Sequence, residues 1–148
     1  MAKEKTQQRE GVGRIQAEAA LDPRVRQLAT GPNFAAVTTL LPSGHFQTQP
    51  IWVSCDDDHI LLNTEVHRTK FRNVERDPRI TVMIWDRENP YAYVEVRGRV
   101  VETVRGEPAR RMIDELSQKY NGKPYPPEAI QSERVILKVA PEQQRIQG

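Results

Sequence analysis

Residues 61–84, LLNTEVHRTKFRNVERDPRITVMI, set His67, Arg68, Lys70, Arg72, Arg76 and Arg79 between two apolar runs. The chemistry open to such a cluster is anion binding. The cations follow an apolar strand pattern and open a short helical one. At a helix start, unpaired backbone N–H groups and the positive end of the helix dipole favour negative charge. Arg68 can fork onto two phosphate oxygens, Lys70 can add a point charge, and Asn63 and Thr64 can donate from the strand end. Arg68 and Lys70 stand two apart and do not share a face of a regular helix. They converge only if Arg68 lies in an extended lead-in and Lys70 in the first turn. The competing reading is a surface helix whose cations pair with Glu65, Glu75 and Asp77, and the residues alone leave both open. Arg76 and Arg79 flank Asp77-Pro78, where the helix must stop, and read as structural.

Other reactive residue types give less. The sequence has no Gly-x-Ser-x-Gly, no phosphate-cradling glycine loop and no His-Glu-x-x-His. His45, His59 and His67 lie in or beside turns without metal-ligand spacing, so no metal site is expected. The single cysteine, Cys55, rules out an internal disulfide. Its neighbours Asp56, Asp57 and Asp58 would raise a thiol pKa, which argues against a nucleophile. Tyr91 and Tyr93 share one face of a strand, as do Gln47 and Gln49. Together with Trp52 they read either as half-buried packing or as the walls and edge-readers of a flat heterocyclic ring.

These residues need elements to hold them. With 148 residues the chain fits one domain. Residues 1–13 are polar and without periodicity and read as a flexible tail, and residues 14–148 read as the domain. Twenty-two Lys plus Arg against 20 Asp plus Glu leave a net charge of +2, too balanced for a general nucleic-acid binder. No stretch approaches the roughly 20 apolar residues that span a membrane, and no signal peptide is evident. Asp22-Pro23 starts a helix that Gly31-Pro32 stops. Strand patterns follow over 34–40, 46–54, 59–63, 80–85, 91–104 and 134–139. Pro50 cannot donate to a ladder, so its strand is an edge or carries a bulge. Gly98 marks a bulge or bend. Helices are expected over 66–76 and 107–120, the latter with Met112, Ile113, Leu116 and Tyr120 on one stripe. About six antiparallel strands with peripheral helices make a mainly β fold, a small barrel.

The segments FAAVTTLLPSGHFQTQPIWV, ILLNTEVHRTKFRNVERDPRITVMI and YAYVEVRGRVVE resemble the split β-barrel flavin and deazaflavin oxidoreductases, the superfamily of pyridoxamine 5′-phosphate oxidase. Within it they are most similar to the actinobacterial branch that uses the deazaflavin coenzyme F420. The resemblance implies an FMN-binding-like split barrel and a homodimer, with the cofactor in a groove between the two barrels. It implies that Arg68 and Lys70 bind the cofactor phosphate, with Asn63 and Thr64 beside it. The strand from Gln47 to Trp52, with Gln49, Pro50 and Trp52 in it, would lie along the ring, with Tyr91 and Tyr93 near its pocket. The implied reaction is hydride transfer to an electron-poor double bond of an enone, quinone or tetrapyrrole. The cofactor carries the hydride, which accounts for the missing acid–base motif. Proton delivery is implied from Tyr91, Tyr93 or solvent. The acidic tail of F420 could meet Lys3, Lys5, Arg9 and Arg14. No segment after Val139 matches the substrate-binding part of the oxidase itself. An FMN oxidoreductase or flavin carrier of the same fold is the nearest alternative. A cofactor-free barrel that stacks single-stranded nucleic acid on Tyr91, Tyr93 and Trp52 is a third. A cytoplasmic location is expected, with a small-molecule substrate and neither a nucleic-acid nor a membrane partner.

Overall fold

A computed structural model describes residues 20–148. The tail expected over 1–13, with Lys3, Lys5, Arg9 and Arg14, lies outside the described residues. In chain order the elements are α1 (Pro23–Thr30), β1 (Phe34–Leu40), β2 (Phe46–Ile51), β3 (Val53–Cys55), β4 (Ile60–Glu65), α2 (Thr69–Arg76), β5 (Arg79–Asp86), β6 (Asn89–Arg105), α3 (Glu107–Asn121) and β7 (Arg134–Gln147). The strands form one antiparallel sheet in the order β2-β1-β5-β6-β7-β4-β3. Alternation puts Val37, Val82, Ile84, Val94, Val96, Leu137, Leu62 and Ile60 on the inner face, all at 2 % exposure or less. Val25 and Leu28 of α1 pack onto the same core. The Asp22 carboxylate caps α1 by accepting the Arg24 N–H at 2.8 Å, with Pro23 in the first turn.

The strand expected over 46–54 is two strands. β2 pairs with β1 at one edge of the sheet, and β3 pairs with β4 at the other. Trp52 belongs to neither. The two sheet edges are thus joined through one residue, which curls the sheet into a split barrel closed by the chain itself rather than by a ladder. Pro50, opposite Ala36, sits on the edge strand where its missing N–H is tolerated. Side chains of α3 satisfy the backbone at this seam. The Val53 N–H donates to Tyr120 Oη at 3.3 Å, and that hydroxyl donates to the Asn33 carbonyl at 2.6 Å. Lys119 Nζ donates to the Val53 carbonyl at 2.6 Å and to the Ala29 carbonyl, near the end of α1, at 2.9 Å. Burial pushes the Lys119 ammonium down to about 8, against the opposing pull of Cys55.

β7 runs to Gln147, past the end expected at Val139. Pro141 would stop a regular strand, but it falls opposite Gly98 where the β6–β7 register shifts, so its missing donor is absorbed by a bulge. The two strands approach closely here. A Cβ on Gly98 would lie 2.1 Å from the Ala140 carbonyl oxygen. Replacing Gly98 with alanine forces the strands apart and should lower stability by about 3 kcal/mol. Urea unfolding measures this, and an unchanged midpoint would rule out the close approach.

Candidate active site

The cation cluster is built around Glu65, the last residue of β4 and fully buried. One carboxylate oxygen accepts the backbone N–H groups of Gln131 and Ser132, both at 2.7 Å. The other accepts Arg134 Nη1 at 3.0 Å and Arg68 Nη2 at 3.3 Å. The helix expected from Val66 begins at Thr69, because the Arg68 N–H turns back to the Glu65 carbonyl at 3.0 Å. Arg68 is therefore extended (φ −75°, ψ 148°) and Lys70 lies in the first turn, the arrangement that convergence of the two requires.

Arg134 opens β7, is 7 % exposed, and donates through Nε to Asn63 Oδ1 at 2.8 Å. Asn63 is anchored in turn by donating to the Ala109 carbonyl at 3.0 Å. Lys70 is 6 % exposed, and among the described residues its ammonium has no hydrogen-bond or ion-pair partner. Arg68 and Arg134 thus share a single carboxylate, and Lys70 has none. Burial lowers the pKa of Lys70, and the charges of Arg68 and Arg134 lower it further. Burial raises the pKa of Glu65, but the donors from Ser132 and Gln131 and the two guanidiniums outweigh it and hold the carboxyl below its usual range. The site carries surplus positive charge with part of it out of water, so an anion fits it.

Beside the cations runs a cleft of about 450 Å³. Pro50, Ile51 and Trp52 line it at the seam, Phe34 and Ala35 on β1, and Ile113 and Leu116 on α3. Asn63, Arg68, Arg134 and Tyr125 line its polar side. Trp52 is held flat by Tyr120, stacked at 5.2 Å and 4° between planes, and is met edge-on by Tyr125 at 6.2 Å. An apolar slot ending in convergent cations suits a planar ring that carries a phosphate.

Of the residues singled out in the sequence, Pro50, Trp52, Asn63 and Arg68 meet in this cleft; Lys70 does not line it but lies near enough to Arg68 and Arg134 to feel their charges. Thr64 shares the inner face of Ile60 and Leu62, where its buried hydroxyl has no partner among the described residues. Gln49 is next to the cleft but does not line it. Gln47 does not read a ring edge: its side-chain oxygen accepts Asn73 Nδ2 at 3.3 Å and helps seat α2. Tyr91 is 82 % exposed, and Tyr93 lines a separate depression with Met83, Glu95 and Arg145. Within one chain neither tyrosine reaches the cleft. Arg76 and Arg79 are structural. Arg76 donates to the Leu40 carbonyl, and Arg79 binds Asp77 at 2.6 Å, a hydrogen bond that draws the Asp77 carboxyl down to about 2. Arg134 and Tyr125 were not apparent from the sequence. Each joins the site through a contact with a distant segment that no local pattern announces.

A split barrel with an apolar cleft that ends in cations has the form of a flavin-type oxidoreductase scaffold. The chain belongs to the pyridoxamine 5′-phosphate oxidase family, whose profile matches residues 21–148. Among solved structures it is similar to an F420 reductase, at 29 % identity and a TM-score of 0.72, over 81 % of this chain and 94 % of that one. It is also similar to a conserved hypothetical protein of Mycobacterium tuberculosis, at 21 % identity and a TM-score of 0.62, over 89 % and 88 % of the two chains. General Stress Protein 26 of Bacillus anthracis matches at 14 % identity and a TM-score of 0.61, over 84 % and 91 %. The last two likenesses concern the fold alone. No match is found among curated proteins.

Because the folded Glu65 carboxyl sits below the usual 4.5, it contributes stability above about pH 4.5 that is lost as pH falls through the folded value. Glu65→Gln removes the charge that holds two arginines and should cost about 3 kcal/mol at neutral pH. It should also flatten the acid limb of the stability–pH curve, as followed by denaturant unfolding between pH 3 and 7. An acid limb as steep as in the wild type would sink the assignment.

Proposed function

We propose that the protein is an F420-dependent oxidoreductase that reduces an electron-poor double bond of an enone, quinone or tetrapyrrole. The observation that carries this reading is the pair Arg68 and Arg134 at the polar side of an apolar cleft, with Lys70 close enough to feel both charges and a single carboxylate between the two arginines. The donor set fits the phosphate of a deazaflavin cofactor, and the likeness to an F420 reductase supports that choice over FMN. When bound in reduced form, such a cofactor supplies the hydride. Arg68, Lys70 and Arg134 would hold its phosphate. Pro50, Ile51, Trp52, Ile113 and Leu116 would wall the ring and exclude water. Tyr120 fixes Trp52 so that this wall is formed before a ligand arrives. FMN presents the same phosphate chemistry and is the competing cofactor. No helix among the described residues is long and apolar enough to cross a membrane, and we place the reaction in the cytoplasm.

The functional unit in this proposal is a homodimer. Phe34 is 47 % exposed and Met83 36 %. They lie with Trp85 and Tyr93 on the outer face of β1, β5 and β6, as the registers Phe34 to Trp85, Ala36 to Met83 and Trp85 to Tyr93 place them. Phe34 and Pro50 lie on that outer face and also line the cleft. A second copy seated there would wall the open side of the cleft and could bring Tyr91 and Tyr93 to the ring as proton donors. Light scattering should give twice 17.0 kDa. A monomer that binds cofactor tightly would exclude this arrangement.

The cofactor assignment is tested by titrating the ligand-free protein with F420 and, in parallel, with FMN. Tighter binding of F420 is expected, and the reverse preference would move the protein to the flavin branch. The Arg68→Ala, Lys70→Ala double variant should weaken binding by a factor of about 100 or more, as loss of charge-assisted phosphate contacts implies. Lys70→Met should weaken binding while leaving the ligand-free protein at least as stable, since it removes a charge that burial and two neighbouring guanidiniums disfavour. A destabilised Lys70→Met protein would mean that Lys70 serves the fold rather than a ligand.

A further inference from the structure

The proposed function gives no role to one wall of the cleft. Tyr125 lies in the loop after α3, flanked by Pro124, Pro126 and Pro127, which restrict its backbone. Its N–H donates to Asp114 Oδ1 at 3.0 Å, and Asp114 pairs with Arg110 at 2.9 Å, so the loop is tied to α3. The Arg134 guanidinium lies over the Tyr125 ring, 5.4 Å from its centroid. Cations favour the faces of aromatic rings, so this contact limits how far Arg134 can swing. Two more of its restraints are known: Nε is committed to Asn63 and Nη1 to Glu65. Among the described residues neither Arg134 Nη2 nor the Tyr125 hydroxyl has a hydrogen-bond partner, although both residues line the cleft. A phenol with an unused O–H on a loop tied to α3, next to an arginine with an unused N–H, is a donor pair that lines the cleft without a protein acceptor.

We infer that Tyr125 is a ligand-contacting residue of the anion end. Its hydroxyl donates to a phosphate oxygen of the bound cofactor, while its ring keeps Arg134 in place for the same phosphate. This rests on the reading of the cleft as the site of a phosphate-bearing cofactor. It also separates the two functions of the side chain: phenylalanine removes the hydroxyl and keeps the ring, and leucine removes both.

The test is a fluorescence titration of the full chain with F420 and with FMN, repeated with inorganic phosphate as competitor. Tyr125→Phe should weaken both cofactors by roughly tenfold, the scale of one hydrogen bond to a charged group. It should raise the inhibition constant of phosphate, corrected for the weaker cofactor binding, by a similar factor. The melting temperature should stay unchanged, because the hydroxyl has no partner within the protein. Tyr125→Leu should weaken binding further, through Arg134. If Tyr125→Phe binds like the wild type while the Arg68→Ala, Lys70→Ala variant is weakened, the role of Tyr125 is refuted and the phosphate site stands. If the wild type binds neither cofactor nor phosphate, both readings fall together. If Tyr125→Phe weakens the cofactors but leaves the inhibition constant of phosphate unchanged, the hydroxyl acts elsewhere than at the phosphate and the inference is overturned.

Discussion

The Glu65 carboxylate joins three parts of the chain at one point. It ends β4, receives the N–H groups of Gln131 and Ser132 ahead of β7, and holds Arg134 and Arg68 on its second oxygen. A buried carboxylate is tolerable only when its lone pairs are filled, and here they are filled by groups that fix the strand end, the helix entrance and the next strand at once. Its charge answers only part of the positive charge around it. Had a second carboxylate stood beside Lys70, the cluster would be a closed ion-pair network with nothing to offer a ligand. The imbalance leaves the cluster able to take an anion.

The apolar half of the cleft depends on a different constraint, the division of one run of sequence between opposite edges of the sheet. Trp52 stands at that division, outside both ladders. Its orientation is set by α3 through Tyr120, whose hydroxyl and ring serve different ends: the hydroxyl satisfies the seam backbone and the ring stacks on Trp52. Lys119 binds the same strand from the neighbouring position. The helix that roofs the cleft with Ile113 and Leu116 also staples the barrel shut, so packing and ligand site share the same residues.

Much of this was legible in the sequence wherever the cause is local. Asp22-Pro23 announces a helix start, Pro50 an edge and Gly98 a bulge, because each acts through its own backbone. The conformation needed for Arg68 and Lys70 to converge followed from spacing alone. What was hidden depends on pairing between distant segments. Arg134 reads as an ordinary polar residue before the apolar run VIL until β7 aligns it with Glu65, 69 positions away. Tyr125 looks like a loop residue among prolines until that alignment puts Arg134 over its ring. The pattern over 46–54 gives no sign that its halves pair with different strands, and nothing before Pro141 announces the bulge that carries the last strand past it. Gln47 was given a ligand role because sequence shows the face it occupies but not that Asn73 waits there.

A barrel sealed by hydrogen bonds all the way round would resist opening equally along its circumference. This one has a gap in its hoop at Trp52, bridged by one peptide chain and by side chains of α3, and the floor of the cleft lies along that gap. A ligand resting on Pro50 and Ile51 at one rim while touching Asn63 at the other spans it. Occupancy would then do mechanical work: it would supply the missing rung, and a loaded barrel would be stiffer than an empty one at the point where the backbone is least braced.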